Sequence, residues 1–236
     1  MLQIMASEIY HVLSRGVDKR IIFQVRKDYL RFVHNLIDMN DSNWVSNSGA
    51  RFAAKTLPGD IDIASRYGKQ YEESKKPLVE IYTFCLMRNH YHLMLAPLIE
   101  GGVSKFMKKL NMAYAKYFNI KYERKGTLFE GRYKSILLSK ESHFIHLPYY
   151  IHFNPLDIKF PEWRERKLKS QKDAVHFLES YPWSSHLDYL GKENFPGVTK
   201  REFLWEFFGG KDGYRNKLYS WLKDIEQSPA NGLYLE

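Results

Sequence analysis

The strongest folding signal in this chain lies between residues 78 and 96. Residues 78–87 (LVEIYTFCLM) are rich in β-branched and aromatic residues, and a short link that contains Arg88 and Asn89 separates them from a second, mainly apolar stretch at 91–96 (YHLMLA). Such residues favour strands, and a connection this short joins antiparallel neighbours. The sequence therefore predicts a β-hairpin near the middle of the chain.

Further elements flank the hairpin. Residues 9–15 (IYHVLSR) predict a strand, and apolar side chains then recur at helical spacing after Asp28 and again after Gly101. Residues 133–138 predict another strand. The order β-α-β-β-α-β predicts an α+β fold, a ferredoxin-like (RRM-like) antiparallel sheet with its helices on one face.

One more helix is predicted after the last strand. Ser139 is a suitable N-cap residue, and the helix is expected to run toward Asn154, because Pro155 discourages its continuation. Pro148 lies inside this stretch. An interior proline weakens a helix, so we expect the helix to be bent or to begin near Pro148.

The chain divides into two parts on these patterns. Residues 1–159 are predicted to form the first domain, in which residues 41–77 have weak periodicity and form an inserted loop. Residues 160–236 are predicted to form a helical C-terminal extension. Its helical patterns cover about residues 200–208 and 214–225, and Gly209 and Gly210 separate them.

Charge narrows the range of partners. The formal net charge is +9, which favours a polyanion such as DNA, RNA or an anionic membrane surface. Cys85 is the single cysteine, which excludes an intrachain disulfide and a cysteine-based zinc site. We expect a cytoplasmic protein without a membrane span, because no apolar run approaches the roughly 20 residues that a span needs.

His90 and His92 open the second strand of the hairpin. Side chains alternate across a strand, so both imidazoles are predicted on one face, where they suit a divalent metal. A third ligand would be needed, and a His-x-His pair by itself also occurs for packing reasons.

The predicted helix before Pro155 offers that ligand. Tyr150 and Asn154 lie four residues apart, which is only about 40° around a helix axis. If the amide oxygen of Asn154 reaches the metal, Tyr150 stands beside it. A tyrosine in such a place can attack a phosphodiester when a metal relieves the charge on the phosphate, and the resulting ester allows rejoining without a cofactor. The alternative is that Tyr150 is an ordinary packing aromatic.

Several longer motifs resemble one family. These motifs are YHVLSRGVDKRIIF at 10–23, LMRNHYHLML at 86–95, KFMKKLNMAYAKYFN at 105–119, GTLFEGRYKS at 126–135, YIHFNPL at 150–156 and YPWSSHLDYLG at 181–191. With them the sequence resembles the HUH-type single-tyrosine transposases, especially the REP-associated tyrosine transposase group of the insertion-sequence 200-like family.

The resemblance implies a reaction and its residues. It implies a transposase that cleaves and rejoins single-stranded, hairpin-associated DNA through a covalent 5′-phosphotyrosine. Tyr150 matches the nucleophile of the family. His90, His92 and Asn154 match its ligands for Mg²⁺ or Mn²⁺. A monomer or a homodimer is expected.

Basic residues complete the expected site. Those on the lysine-rich helix form either a solvated face or a DNA-contacting face, and Arg132 has an ion pair with Glu130 as its alternative role. The residues expected to bind DNA are Arg15, Lys19, Arg20, Lys105, Lys108, Lys109 and Arg132.

Three other functions fit parts of the pattern. A ferredoxin-like sheet also binds single-stranded nucleic acid without catalysis, in which case binding would need neither metal nor Tyr150. Another HUH enzyme, such as a replication initiator or a relaxase, shares the histidine pair. A metal hydrolase that uses the His-x-His pair alone is the third alternative, and no carboxylate ligand set for it is evident in the sequence.

Overall fold

The structure, a computed structural model, describes residues 8–42 and 76–227. Its strands and α-helices follow the order predicted from the sequence. They are β1 (Tyr10–Arg15), α1 (Arg26–Asp38), β2 (Val79–Met87), β3 (His90–Pro97), α2 (Gly102–Lys121), β4 (Lys134–Leu137), α3 (Glu141–Phe153), α4 (Gln171–Ser180), α5 (His186–Tyr189), α6 (Arg201–Phe208) and α7 (Gly210–Gln227). Two 3₁₀ turns, Asn154–Ile158 and Pro161–Glu165, follow α3.

The four strands form one antiparallel sheet in the order β2-β3-β1-β4. This is the strand order of a ferredoxin-like fold, and it confirms the predicted fold class. β3 lies between β1 and β2, so its residues are held from both sides. Leu13 of β1 is paired with His92, and Arg15 is paired with His90.

Side-chain alternation divides the sheet into two buried faces. Tyr91, Leu93 and Leu95 of β3 pack in a core with residues of α1 and α2. His90, His92 and Met94 point to the opposite face, which we call the histidine face. Met94 packs there in a second core with residues of α3 and of the C-terminal helices. The predicted pair of helices on one face is therefore confirmed, and the other face is also covered.

Loops from three parts of the chain meet at the end of the sheet where β3 begins. The backbone N–H of Gly16 donates to the carbonyl of Asn89 at 2.8 Å, and that of Ile22 donates to the carbonyl of Arg88 at 2.8 Å. The backbone N–H of Glu130 donates to the carbonyl of Arg15 at 2.8 Å. These bonds fix the loops that surround His90.

Helix α3 begins and continues differently from the prediction. Its N-cap residue is Lys140, not Ser139, and no side chain caps it. Pro148 is buried inside one continuous helix that begins seven residues earlier, at Glu141, so the prediction that the helix begins near Pro148 is wrong. Proline has no backbone N–H, so α3 continues through Pro148 without the helical hydrogen bond that this residue would otherwise donate.

Residues of the C-terminal part pair with the outer edge of β2. The backbone N–H of Leu86 donates to the carbonyl of Trp183 at 2.8 Å, and that of Lys200 donates to the carbonyl of Ile81 at 2.9 Å. The Trp183 ring stacks on Tyr29 with the ring centres 4.5 Å apart. This segment covers the hydrogen-bonding groups that an edge strand would otherwise expose. The division at residue 159 stays a prediction.

The predicted inserted loop, residues 41–77, falls almost wholly outside the described residues. Its two ends lie side by side, because the backbone N–H of Ser42 donates to the carbonyl of Lys76 at 2.8 Å. Within residues 8–42 and 76–227, no helix combines the length and the apolar character needed to cross a lipid bilayer.

A buried polar network joins α3 to the C-terminal helices. The hydroxyl of Tyr214 on α7 lies 2.8 Å from Nδ1 of His152 and 2.8 Å from Nδ1 of His186. Nε2 of His152 lies 2.8 Å from Oγ of Ser185. Both histidines are almost fully buried. The helix that bears Tyr150 is therefore fixed at its C-terminal end by side chains that come from beyond residue 180.

This network predicts acid sensitivity. Burial lowers the pKa of His186 from 6.5 to about 4, Lys192 adds to this lowering, and Glu179 opposes it. The folded chain therefore keeps His186 neutral, whereas the unfolded chain protonates it below pH 6.5. The contribution of neutral His186 to the free energy of unfolding is complete above pH 6.5. It is lost as pH falls toward about 4, and the free energy of unfolding decreases by up to about 3 kcal/mol. Urea unfolding across this range measures the loss.

The control for this prediction is His186→Gln, which cannot titrate. We expect a smaller change in the free energy of unfolding between pH 6.5 and about 4 in this variant than in the native chain. Some acid sensitivity remains, because burial also lowers the pKa of His152. An identical pH dependence in both proteins would show that His186 does not contribute to it.

Candidate active site

Three imidazoles meet on the histidine face. His90 and His92 project from β3, and their ring centres are 5.0 Å apart. His11 of β1 stacks on His92, with 5.2 Å between the ring centres, and its Nε2 lies 2.9 Å from Nδ1 of His92. The structure thus places the predicted histidine pair on one face and adds a third histidine beside it.

The contacts of the two β3 histidines leave their Nε2 atoms as candidate ligands. Nδ1 of His90 lies 2.7 Å from Oδ1 of Asn89, an oxygen that can only accept, so this nitrogen carries the proton. Nε2 of His92 is buried and has no hydrogen-bond partner among the described residues. When the proton shared with His11 lies on Nδ1 of His92, the Nε2 lone pair is available to a metal.

Electrostatics keep His92 in the form that binds metals. Burial lowers the pKa of His92 well below its usual value, and the charges of His11, His90, Arg164 and Arg15 lower it further. A neutral imidazole has the lone pair that coordination requires. Among the described residues, no group of three or more His, Cys, Asp or Glu side chains is arranged to hold a metal ion, and this includes the three imidazoles.

Tyr150 of α3 lies against the same histidines. Its ring is edge-on to His92 and to His11, with ring centres 5.9 and 6.0 Å apart. The side chain is partly exposed, whereas the neighbouring Tyr149 is buried and stacks on Tyr214. Helical geometry explains the difference, because consecutive residues point about 100° apart around the axis. Of the two adjacent tyrosines, Tyr150 faces the histidines.

Asn154 lies one turn beyond Tyr150 and is fully buried. Its amide nitrogen donates to the carbonyl of Tyr150 at 2.8 Å, which turns Oδ1 away from the helix backbone. Oδ1 accepts a hydrogen bond from Nη2 of Arg164 at 3.2 Å. An amide oxygen has a second lone pair, so Asn154 can still serve as a ligand while it holds Arg164.

Three residues of this site were missed or given another role by sequence reasoning. Arg164 and Asp157 lie in the 3₁₀ turns after α3, where periodicity gives no signal. For His11, which lies in the first predicted strand, the sequence alone favours a packing role in the core, and the side chain is buried. The alternation of β1 could have shown that His11 shares the face of His92, once the register of the two strands was known.

The predicted DNA-binding residues fall into two groups. Arg15, Lys19, Arg20 and Arg132 belong to the strand end and loops around His90. The three lysines of α2 belong to the helix layer on the other side of the sheet. Two of these three have defined partners, since the ammonium of Lys105 donates to the carbonyl of Glu100 at 3.1 Å and that of Lys109 donates to the carbonyl of Asp41.

The position of the α2 lysines has a consequence for DNA binding. Lys108 is exposed, and the apolar stripe of α2 faces the sheet, so the lysines point away from the histidine face. A DNA strand bound at Tyr150 would have to pass around the β-sheet to contact these lysines. The structure therefore brings only the first group near the candidate site, and the DNA-binding role of both groups stays a prediction.

Comparison with known proteins adds an independent finding. No protein of curated function matches this chain. A solved structure to which it is similar is that of a REP-associated tyrosine transposase bound to a REP hairpin, with 11% identity and a TM-score of 0.47 over 78% of this chain and 80% of that one. Values this low imply nothing about the chemistry of this chain.

The match to a family is more informative. Residues 62–154 match the family model described as IS200-like transposase. This range, less than half of the chain, contains His90, His92, Tyr150 and Asn154. The part of the chain that carries the candidate site is therefore similar to IS200-like transposases, in agreement with the family that the sequence motifs indicate.

Proposed function

We propose that this protein cleaves and rejoins single-stranded DNA through a covalent 5′-phosphotyrosine on Tyr150. The match of residues 62–154 to the IS200-like transposase model supports an enzyme that acts on DNA. The proposed substrate is a strand that carries a hairpin, which rests on the motifs shared with the REP-associated group. The proposed cofactor is one Mg²⁺ or Mn²⁺ ion, with His90, His92 and Asn154 as its ligands.

One observation carries this proposal: the partly exposed phenol of Tyr150 lies edge-on to the buried His92. Only one of the two adjacent tyrosines points this way, and the other is committed to packing. A nucleophile must lie beside the groups that stabilise the charge of the attacked phosphate. The edge-on contact between Tyr150 and His92, a proposed metal ligand, supports this role for Tyr150.

The proposed reaction is a transesterification. The phenol oxygen of Tyr150 attacks the scissile phosphorus, a new P–O bond forms to the tyrosine, and the bond from phosphorus to the 3′ oxygen breaks. The phenol proton is lost and a proton is gained by the leaving 3′ hydroxyl, so charge and atoms balance. Attack by that hydroxyl, or by one on another strand, reverses the step and rejoins DNA.

The residues present fit the divalent metal that the family implies. The buried Nε2 of His92 without a partner, the Nδ1 proton of His90 fixed by Asn89, and the amide oxygen of Asn154 are suitable donors. When bound, the ion would act as a Lewis acid on the phosphate. The protein itself keeps His92 neutral and positions Tyr150 beside it.

The alternative, a binding protein without catalysis, has less support. RRM-type proteins bind single strands by stacking bases on aromatic residues of an open sheet face. Here the inner strands β1 and β3 and the edge strand β2 are buried along nearly their whole length. Helices cover both faces of these strands. These three strands therefore offer no such open face, and β4, the exposed strand of the sheet, has only four residues.

The test uses single-stranded oligonucleotides that contain a hairpin flanked by random sequence. One pool is labelled at the 3′ end and a second at the 5′ end, and each is incubated with protein and Mn²⁺. On a denaturing gel we expect a protein-linked band with the 3′ label only, which disappears with a chelator. A band with the 5′ label, or no band with either pool, would contradict the proposal.

A further inference from the structure

Arg164 contacts Tyr150, the proposed nucleophile. Its Nη1 approaches the phenol oxygen of Tyr150 at 3.4 Å, and its Nη2 donates to Oδ1 of Asn154 at 3.2 Å. The guanidinium also lies over the Tyr150 ring, with 5.6 Å from Cζ to the ring centre. Arg164 thus connects the proposed nucleophile with the proposed third ligand.

Two neighbours hold the guanidinium in this orientation. Nε and Nη2 of Arg164 each donate to a different oxygen of Asp157, both at 2.8 Å. The indole of Trp163 lies 4.9 Å from Cζ, and its Nε1 donates to Asp157 at 2.6 Å. One edge of the Arg164 guanidinium is therefore fixed by the Asp157 carboxylate, and the other edge faces Tyr150 and Asn154.

The Arg164 side chain is partly accessible from solvent. About one third of the Arg164 side chain is exposed, at 34% of its reference area. When the Tyr150 oxygen attacks a phosphorus atom, a non-bridging phosphate oxygen comes to lie next to that attacking oxygen. Donors that already approach the phenol oxygen are then close to the atom on which negative charge develops.

We propose that Arg164 binds a non-bridging oxygen of the scissile phosphate and is a catalytic residue of this site. This inference rests on the proposed function and deepens it, because it assigns a phosphate-binding group that comes from outside the matched range 62–154. The planar guanidinium of Arg164, one edge of which is already held by Asp157, suits a phosphate better than the flexible ammonium of a lysine would.

The first experiment measures phosphate binding without cleavage. The Tyr150→Phe protein is titrated, without metal, with two oligonucleotides of one sequence that end in a 5′ phosphate or a 5′ hydroxyl. We expect the phosphate to improve affinity roughly tenfold or more, and this gain to disappear when Arg164→Gln is added. If the 5′ phosphate improves affinity equally in the Tyr150→Phe protein and in the same protein with Arg164→Gln added, the inference is overturned.

The matched control for charge is Lys167→Gln. Its side chain is 74% exposed and pairs with Glu165, so the variant loses the same charge three residues away from Arg164. We expect it to keep the gain from the 5′ phosphate. Equal losses in Lys167→Gln and Arg164→Gln would mean that net charge alone explains the binding, and would also overturn the inference.

The second experiment measures single-turnover formation of the protein–DNA adduct. We expect Arg164→Ala to slow it on the order of a hundredfold, and added methylguanidinium to restore part of the rate, whereas urea, which is planar but neutral, restores none. Rescue by urea, or a rate equal to that of the native chain, would contradict a phosphate-binding role. If the native chain forms no adduct, the proposed function fails, while the binding experiment still decides the role of Arg164.

Discussion

Replacing Tyr150 with phenylalanine is expected to abolish formation of the covalent protein–DNA adduct and to leave the fold intact. The change removes one oxygen atom, and that oxygen is the proposed nucleophile. Because no other phenol is shown beside His92 among the described residues, we expect adduct formation to fall by at least about a thousandfold. The measurement is a denaturing gel with a 3′-labelled hairpin oligonucleotide and Mn²⁺.

The neighbouring tyrosine gives a matched control. Tyr149→Phe removes the same atom one residue away, from a side chain that is buried and whose hydroxyl has no hydrogen-bond partner among the described residues. We expect this variant to form the adduct at the native rate and to be at least as stable, since a buried hydroxyl without a partner is unfavourable. Adduct formation by Tyr150→Phe, or its loss only in Tyr149→Phe, would exclude Tyr150 as the nucleophile.

Replacing His92 with glutamine is expected to abolish metal binding. The buried Nε2 is the atom best suited to hold the ion, and its loss leaves too few donors on this strand. We expect Mn²⁺ affinity to fall by at least roughly a hundredfold. A bound ligand raises the free energy of unfolding by about 2.7 kcal/mol at a concentration of 100 Kd, so Mn²⁺ should raise the Tm of the native chain. The shift should vanish in His92→Gln.

His176→Gln is the control for this comparison. His176 is an exposed histidine on α4, and the variant changes the same functional group away from the site. We expect its Mn²⁺-dependent rise in Tm to equal that of the native chain. If the rise persists in His92→Gln and is lost in His176→Gln, the ion binds elsewhere and the proposed ligand set is wrong.

The parts of the site that lie on regular elements could be predicted from the sequence. The alternation of a strand is enough to place His90 and His92 on one face, and helical spacing is enough to align Tyr150 with Asn154. Neither argument needs the tertiary structure. The fold class followed in the same way from the order of strands and helices.

Other parts depend on contacts that local patterns do not encode. Arg164 reaches Tyr150 across two 3₁₀ turns, and His11 meets His92 only because β1 and β3 pair in a particular register. The periodicity of α2 shows which side of the helix is apolar, but not which side of the sheet the helix covers. For this reason the structure places Lys105 and Lys108 away from the histidine face, although both are among the residues expected from the sequence to bind DNA.

The most direct test identifies the atom that carries the DNA. The native protein is allowed to form the adduct with a hairpin oligonucleotide, the DNA is trimmed by nuclease, and the protein is digested with trypsin. The peptide of interest is residues 141–159, which contains both Tyr149 and Tyr150. We expect fragmentation in the mass spectrometer to place a nucleotide, linked through its 5′ phosphate, on Tyr150. A nucleotide on Tyr149 or on any residue outside this peptide would contradict the proposed mechanism.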